Sequence, residues 1–167
     1  YEIRKTSKKG RGVFALRDIE AGIIIGDFLG KILDNNDLER YEQEFGFYAR
    51  EYTSKTFIFP DIKKEGMHLI NHSCSPNISN AEISHHSIHF SLRKIFKGEE
   101  LTMDYGMELS SKEVVAPCFC ESPFCSGTMV ISQNKINCIN KFRQKEHGDE
   151  FDKLDVVIGT SLLPLDA

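Results

Sequence analysis

Nowhere in these 167 residues is there a run of about 18 apolar residues, so nothing would cross a bilayer as a helix, and no charged, apolar and small-residue leader is present. The chain begins at Tyr1 rather than Met, which reads as a trimmed start. Basic blocks are missing outside a short patch from Arg4 to Arg11. With 21 Lys and Arg against 25 Asp and Glu the net charge is -4, which argues against phosphate-driven nucleic-acid binding and suits a basic partner. A disulfide framework is also lacking. The five cysteines, at 74, 118, 120, 125 and 138, are odd in number and uneven, and three crowd into eight residues, a pattern of metal binding in a reducing, intracellular compartment.

What is present is enough apolar material, 40% of the chain, for the core of one domain. Short apolar stretches punctuated by glycine give a mainly β expectation. Strands are expected at Tyr1 to Arg4, after the Gly10-Arg11-Gly12 turn, at Ile23 to Ile25, at Phe28-Leu29 and at Lys31 to Leu33. Asn35 or Asn36 is expected to cap a helix over Asp37 to Glu42. A hairpin of Phe45 to Arg50 with Thr56 to Pro60 carries an aromatic cluster, in which Tyr48 is the channel-lining choice because a phenol keeps a polar tip.

Asn71-His72-Ser73-Cys74-Ser75-Pro76-Asn77 is too polar for core. Pro76 forces Ser75 out of the helical region, and the Asn and Ser side chains bond local backbone, so a fixed loop is expected rather than a helix or strand. Between buried flanks, such a loop is where ligand sites form. Beyond it, Ile78 to Ile83 and Ser87 to Ile95 alternate as antiparallel strands. His85, His86 and His89 at their turn lack a further ligand at usual spacing and read as a solvated tip rather than a metal site.

Cys118, Cys120 and Cys125, broken by Pro123, can wrap three thiolates around one zinc ion but do not supply a fourth ligand. Cys74 and Cys138 are the remaining thiols. Cys74 is the choice because it sits in the rigid loop; zinc would then fold the tail over that loop.

Four motifs in order, Gly10-Arg11-Gly12-Val13-Phe14, the segment from Asn71 to Asn77, Gly98-Glu99-Glu100-Leu101-Thr102-Met103-Asp104-Tyr105, and the cysteine tail, resemble a SET-domain protein lysine methyltransferase with a post-SET zinc tail. The resemblance covers about residues 1 to 129. It implies a β-clip of several small sheets with short helices, in which the segment ending at Tyr105 threads beneath the Asn71-His72 loop as a pseudoknot. It also implies S-adenosylmethionine against Gly10, Arg11, Gly12, Val13, Tyr48, Asn71, His72 and Tyr105, with Phe119 covering the site. Tyr105 is then the catalytic tyrosine, Tyr48, Met103 and Tyr105 line the lysine channel, and Zn2+ is held by Cys74, Cys118, Cys120 and Cys125. Two positions depart from the family: Glu121 stands where such loops usually carry Gly, and Met103 where Phe or Tyr is usual, which is expected to permit at least dimethylation.

Methyl transfer from a sulfonium to an amine depends on in-line alignment, and an apolar channel near a cation keeps the lysine neutral, so no strong general base is expected. The expected partner is a basic peptide segment, a histone tail foremost, entering by strand addition at a sheet edge. The compartment would be the nucleus, or a host nucleus for a bacterial protein. The competing expectation is an inactive SET module acting as a zinc-stabilised interaction domain. Domains are expected at 1–108 (SET), 109–130 (post-SET) and 131–167, a partly helical extension that would pack on the domain or mediate a dimer.

Overall fold

The computed structural model describes residues 1–83, 86–107 and 116–130, together with position 141. Ser84-His85, the 108–115 linker, Cys138 and the expected helix and Val156-Val157-Ile158 segment of the extension lie outside the described residues.

Among the described residues the named elements are three small sheets, one α-helix and a short 3-10 turn at Met67–Leu69. The first sheet has the order β1-β2-β10-β7, from β1 (Glu2–Lys5), β2 (Arg11–Phe14), β7 (Asn71–His72) and β10 (Glu100–Met103). The second has the order β3-β9-β8, from β3 (Ile24–Asp27), β8 (Ile78–Ile83) and β9 (His86–Ser91). The third is β4-β6-β5, from β4 (Lys31–Asp34), β5 (Arg50–Thr53) and β6 (Thr56–Phe59). Its companion α1 (Asn35–Phe45) follows β4 directly.

Four local expectations are corrected. Phe28-Leu29 is not in a strand. Asp34, not an asparagine, caps α1, its carboxylate accepting from the Asp37 amide at 2.9 Å. The helix runs on to Phe45 because Tyr41 and Phe45 pack edge-on and tilted against Phe59, with centroids 5.1 and 6.1 Å away, and this takes Phe45 out of the hairpin. Asn71-His72, expected as loop, is a two-residue strand, because β10 offers it a parallel partner (Thr102↔Asn71, Met103↔His72).

That pairing organises the centre. β10 lies between antiparallel β2 (Leu101↔Val13) and parallel β7, and Val13 and Leu101 are both fully buried at the contact. The core around them includes Ile58, Ile70, Ile78, Ile95 and Met103. The polar segment after β7 grips β10: Ser73 donates its amide to the Met103 carbonyl at 2.9 Å and Asn77 to that of Thr102 at 3.1 Å. In return the Asn77 side chain accepts from the Thr102 amide at 2.8 Å and donates to the Glu100 carbonyl at 2.8 Å. Asn77 is 2% exposed, so a buried polar side chain is here a stitch between two segments.

Candidate functional site

In a two-residue strand, neighbours face opposite ways, and β7 uses this to divide its work. Asn71 turns one way. Its amide donates to the Arg11 carbonyl at 3.0 Å and to Glu100 at 2.8 Å, while the other Glu100 oxygen meets the Lys9 ammonium at 2.6 Å. The turn before β2, the start of β10 and β7 are thereby tied at one point. Gly12 has no side chain for a packing reason: a Cβ there would lie 2.6 Å from the Glu100 carboxylate and 2.8 Å from the Asn71 amide.

Beside this knot opens a cleft of about 450 Å³. Lys9, Gly10, Arg11, Asn71 and Tyr105 line it together with Phe45, Gly46, Phe47, Tyr48, His68 and Leu69. The lining carries cationic groups at Lys9 and Arg11 but no carboxylate, so it suits a ligand with an anionic group and an apolar body.

Tyr105 lines this cleft and is 41% exposed. Its hydroxyl donates to the Ile70 carbonyl at 2.8 Å, and its ring stands edge-on to His72 at 5.4 Å between centroids. Burial of the phenol, with Tyr48 and Glu100 reinforcing and His72 opposing, pushes its pKa up to about 12. It stays protonated and acts as a donor and a wall, not as a base. His68 is held neutral by burial and then by the Arg11 charge, with its Nε2 buried and Tyr48 edge-on at 6.0 Å.

A second cleft, of about 510 Å³, runs along Ile25 to Gly30 and past Asp61, Glu65 and Gly66. His68 lines both. β3, which forms one wall, pairs with β9 alone among the described strands, so its other edge is open.

His72 turns inward and is 4% exposed. Around the far side of that ring the sulfurs of Cys74, Cys118, Cys120 and Cys125 all lie within 4.8 Å of one another, and Cys74 and Cys118 are 3.8 Å apart. Four thiolates on tetrahedral zinc at about 2.3 Å would stand about 3.8 Å apart, so the cluster is the right size. The donor set also fits. Burial raises the Cys120 thiol, but the amides of Cys74 and Ser122 and the neighbouring thiols overcome it and draw the pKa down to about 7. Gly127 donates its amide to Cys125 at 3.4 Å. Burial acts the other way at Cys74 and Cys118, pushing both of those thiols up. Glu121 sits between them with φ 58°, the left-handed backbone that glycine favours, and its carboxylate is held by Lys8 at 2.5 Å.

Of the residues singled out in the sequence, Gly10, Arg11, Tyr48, Asn71 and Tyr105 line the first cleft. Gly12 and Val13 lie behind it in β2, Met103 packs into the core at 8% exposure, and Phe119 projects from the cysteine loop at 51%. His86 pairs with Asp27 at 2.6 Å, while His89 is fully buried and accepts from Arg50 at 3.1 Å, so the latter is core and not a solvated tip. Sequence reasoning passed over Lys9, Glu100 and His68 as site residues. Lys9 directly precedes the first motif and Glu100 lies within the third, whereas His68, a lone polar residue in an apolar run, gave no signal.

Comparison with known proteins agrees with this geometry. The family model described as the SET domain matches residues 10–106, more than half of the chain. The "Variant-silencing SET domain-containing protein" of Plasmodium falciparum is 32% identical over 148 residues, covering 80% of this chain and 6% of the relative. The "Histone-lysine N-methyltransferase, H3 lysine-36 specific" of Saccharomyces cerevisiae is 36% identical over 135 residues, 75% of this chain and 18% of the relative. The chain thus corresponds to a small part of those proteins. The methyltransferase domain of human Histone-lysine N-methyltransferase SETMAR superposes with a TM-score of 0.61 over 76% of this chain and 56% of that one, at 23% identity, a likeness of fold.

Proposed function

Because this chain belongs to the SET-domain family, we propose that it transfers methyl groups from S-adenosylmethionine to a lysine side chain of a protein substrate, a histone tail foremost. One observation carries the reading: the parallel β7–β10 pairing brings Tyr105, just beyond β10, to the same cleft as Gly10, Arg11 and Asn71.

When bound, S-adenosylmethionine supplies an electrophilic methyl carbon. Gly10, Arg11, Tyr48 and Asn71 would hold it, with the cations at Lys9 and Arg11 toward its carboxylate. The chain's own contribution is placement. Tyr105, kept neutral, gives a fixed phenol edge beside which an uncharged amine is aligned, and the carbonyl of Ile70, already engaged by that phenol, fixes its angle. The apolar lining from Phe45 to Tyr48 disfavours the ammonium form of the incoming lysine. No lining residue is placed to serve as a strong base.

The substrate chain would enter through the second cleft, adding along the open edge of β3 past Asp27, Asp61 and Glu65, acidic groups that suit a basic peptide. Zn2+ would be held by Cys74, Cys118, Cys120 and Cys125 as a structural ion. A histone substrate places the protein in the nucleus.

The test is methyl transfer from labelled S-adenosylmethionine to core histones and to lysate protein, with Tyr105→Phe run alongside. Label in a defined band, reduced about 100-fold in kcat by the substitution, is the expected outcome. No label from a preparation that holds zinc and binds the cofactor would instead make the chain an interaction module.

A further inference from the structure

The His72 ring bridges two things that the motifs treat separately. On one side the Tyr105 backbone N–H reaches Nδ1 at 3.2 Å; on the other, Nε2 stands 3.5 Å from the Cys74 sulfur. A backbone amide can only donate, so Nδ1 must be the lone-pair nitrogen. A neutral imidazole with an accepting Nδ1 carries its proton on Nε2. That proton points at Cys74, and 3.5 Å is an ordinary N–H to sulfur separation. Asp104 lies 3.6 Å from the same Nδ1, too far for a hydrogen bond, and its carboxylate is taken by the Gly106 amide at 3.0 Å. The ring is 4% exposed and does not line the first cleft, whose β7 contact is Asn71 alone.

We infer that His72 is a positioning residue that couples the cysteine cluster to Tyr105: as the Nε2–H tautomer it donates to the Cys74 sulfur and accepts from the Tyr105 amide. The inference rests on Cys74 as a metal ligand and Tyr105 as the site tyrosine. One ring thus holds a member of the cysteine cluster on one side and the Tyr105 backbone on the other. Donors to metal-bound ligands typically change metal affinity by about 10- to 100-fold when removed.

Two substitutions separate the halves of the ring. In His72→Gln the side-chain amide reaches the Nε2 position and keeps a donor for sulfur; in His72→Asn the side-chain carbonyl reaches the Nδ1 position and keeps an acceptor for the amide. The measurements on the zinc-loaded chain are nitrogen NMR of labelled histidine, zinc release to a competing chelator, and hydrogen exchange of the Tyr105 amide. The expected result is the Nε2–H tautomer in the unsubstituted protein. His72→Asn should release zinc about 10- to 100-fold faster with the Tyr105 amide still protected, and His72→Gln should hold zinc while that amide exchanges faster. An Nδ1–H tautomer, equal loss of both properties in both variants, or an unsubstituted chain that takes up no zinc would each overturn it. The tautomer is read without substitution, so it decides even where the variants do not fold. None of these readouts needs methyl transfer, so failure of the proposed reaction would leave them standing.

Discussion

Tyr105 and His89 show how one residue's surroundings set its protonation. The phenol, held up near 12 by burial, does not ionise across the range in which enzymes are assayed, so any alkaline limb of a rate profile must belong to another group. His89 runs the other way. It is fully buried beside the Arg50 guanidinium, and burial first, then that charge, brings its pKa down to about 4. An unfolded histidine takes its proton near 6.5, so between those values the unfolded chain binds more protons than the folded one. The contribution of His89 is therefore level above pH 6.5 and falls as pH drops toward 4, by about 3 kcal/mol. Urea unfolding at pH 7.5 and at pH 4.5 checks this, and His89→Gln should flatten the slope. A protein equally stable at both values would mean that His89 is not buried neutral.

At the scale of elements, the segment after β7 and strand β10 stand or fall together. Asn77 joins them by its backbone amide to Thr102 and by its side chain to the Thr102 amide and the Glu100 carbonyl. Asn77→Ala strips the side-chain stitches and leaves a buried Thr102 amide without its acceptor, at a cost of about 2–4 kcal/mol. The loss should appear in the denaturation midpoint with the slope unchanged. The effect should also reach activity, because β10 carries Tyr105 just beyond its end. Element boundaries were the weaker part of the sequence reading for the same reason that this stitch matters. Nothing local in Asn71-His72 says strand; the partner that makes it one is thirty residues away. Phe45 likewise belongs to α1 because Phe59 receives it, not because of its neighbours in sequence.

For the molecule as a whole, the cysteine cluster is the clamp that holds the tail at 116–130 to the first sheet. Among the lesser supports are the Ser75 to Ser122 hydroxyl contact at 2.6 Å, the Met107–Val130 bridge and the exposed Lys8–Glu121 pair, the last worth little alone. Removing zinc with a chelator should therefore detach the tail and lower the melting temperature by about 10 °C, as a loss of roughly 3 kcal/mol would do in a chain of this size. If Phe119 covers the cofactor as the resemblance implies, cofactor affinity should fall with it. Calorimetry and cofactor titration before and after chelation make the measurement. Melting that is indifferent to the chelator would mean that the four sulfurs hold no structural ion.

The sequence by itself determined the chemistry on offer. The polar motif from Asn71 to Asn77, the Tyr105 terminus and the spaced cysteines name their family and their residue types, because such side chains are costly in a core and are kept at these spacings by what they bind or bond. It offered Gly12 only as part of a turn; that a Cβ there would strike Asn71 and Glu100 is visible in the structure alone. Tertiary structure alone decided who faces whom. Only the parallel pairing of β7 with β10 could show that adjacent residues part company, Asn71 to the cleft and His72 to the sulfurs, and that His68, silent in the sequence, lies where two clefts meet. A sequence fixes what each side chain can donate, accept or repel; which partner receives it depends on segments dozens of residues apart being brought to within hydrogen-bonding distance.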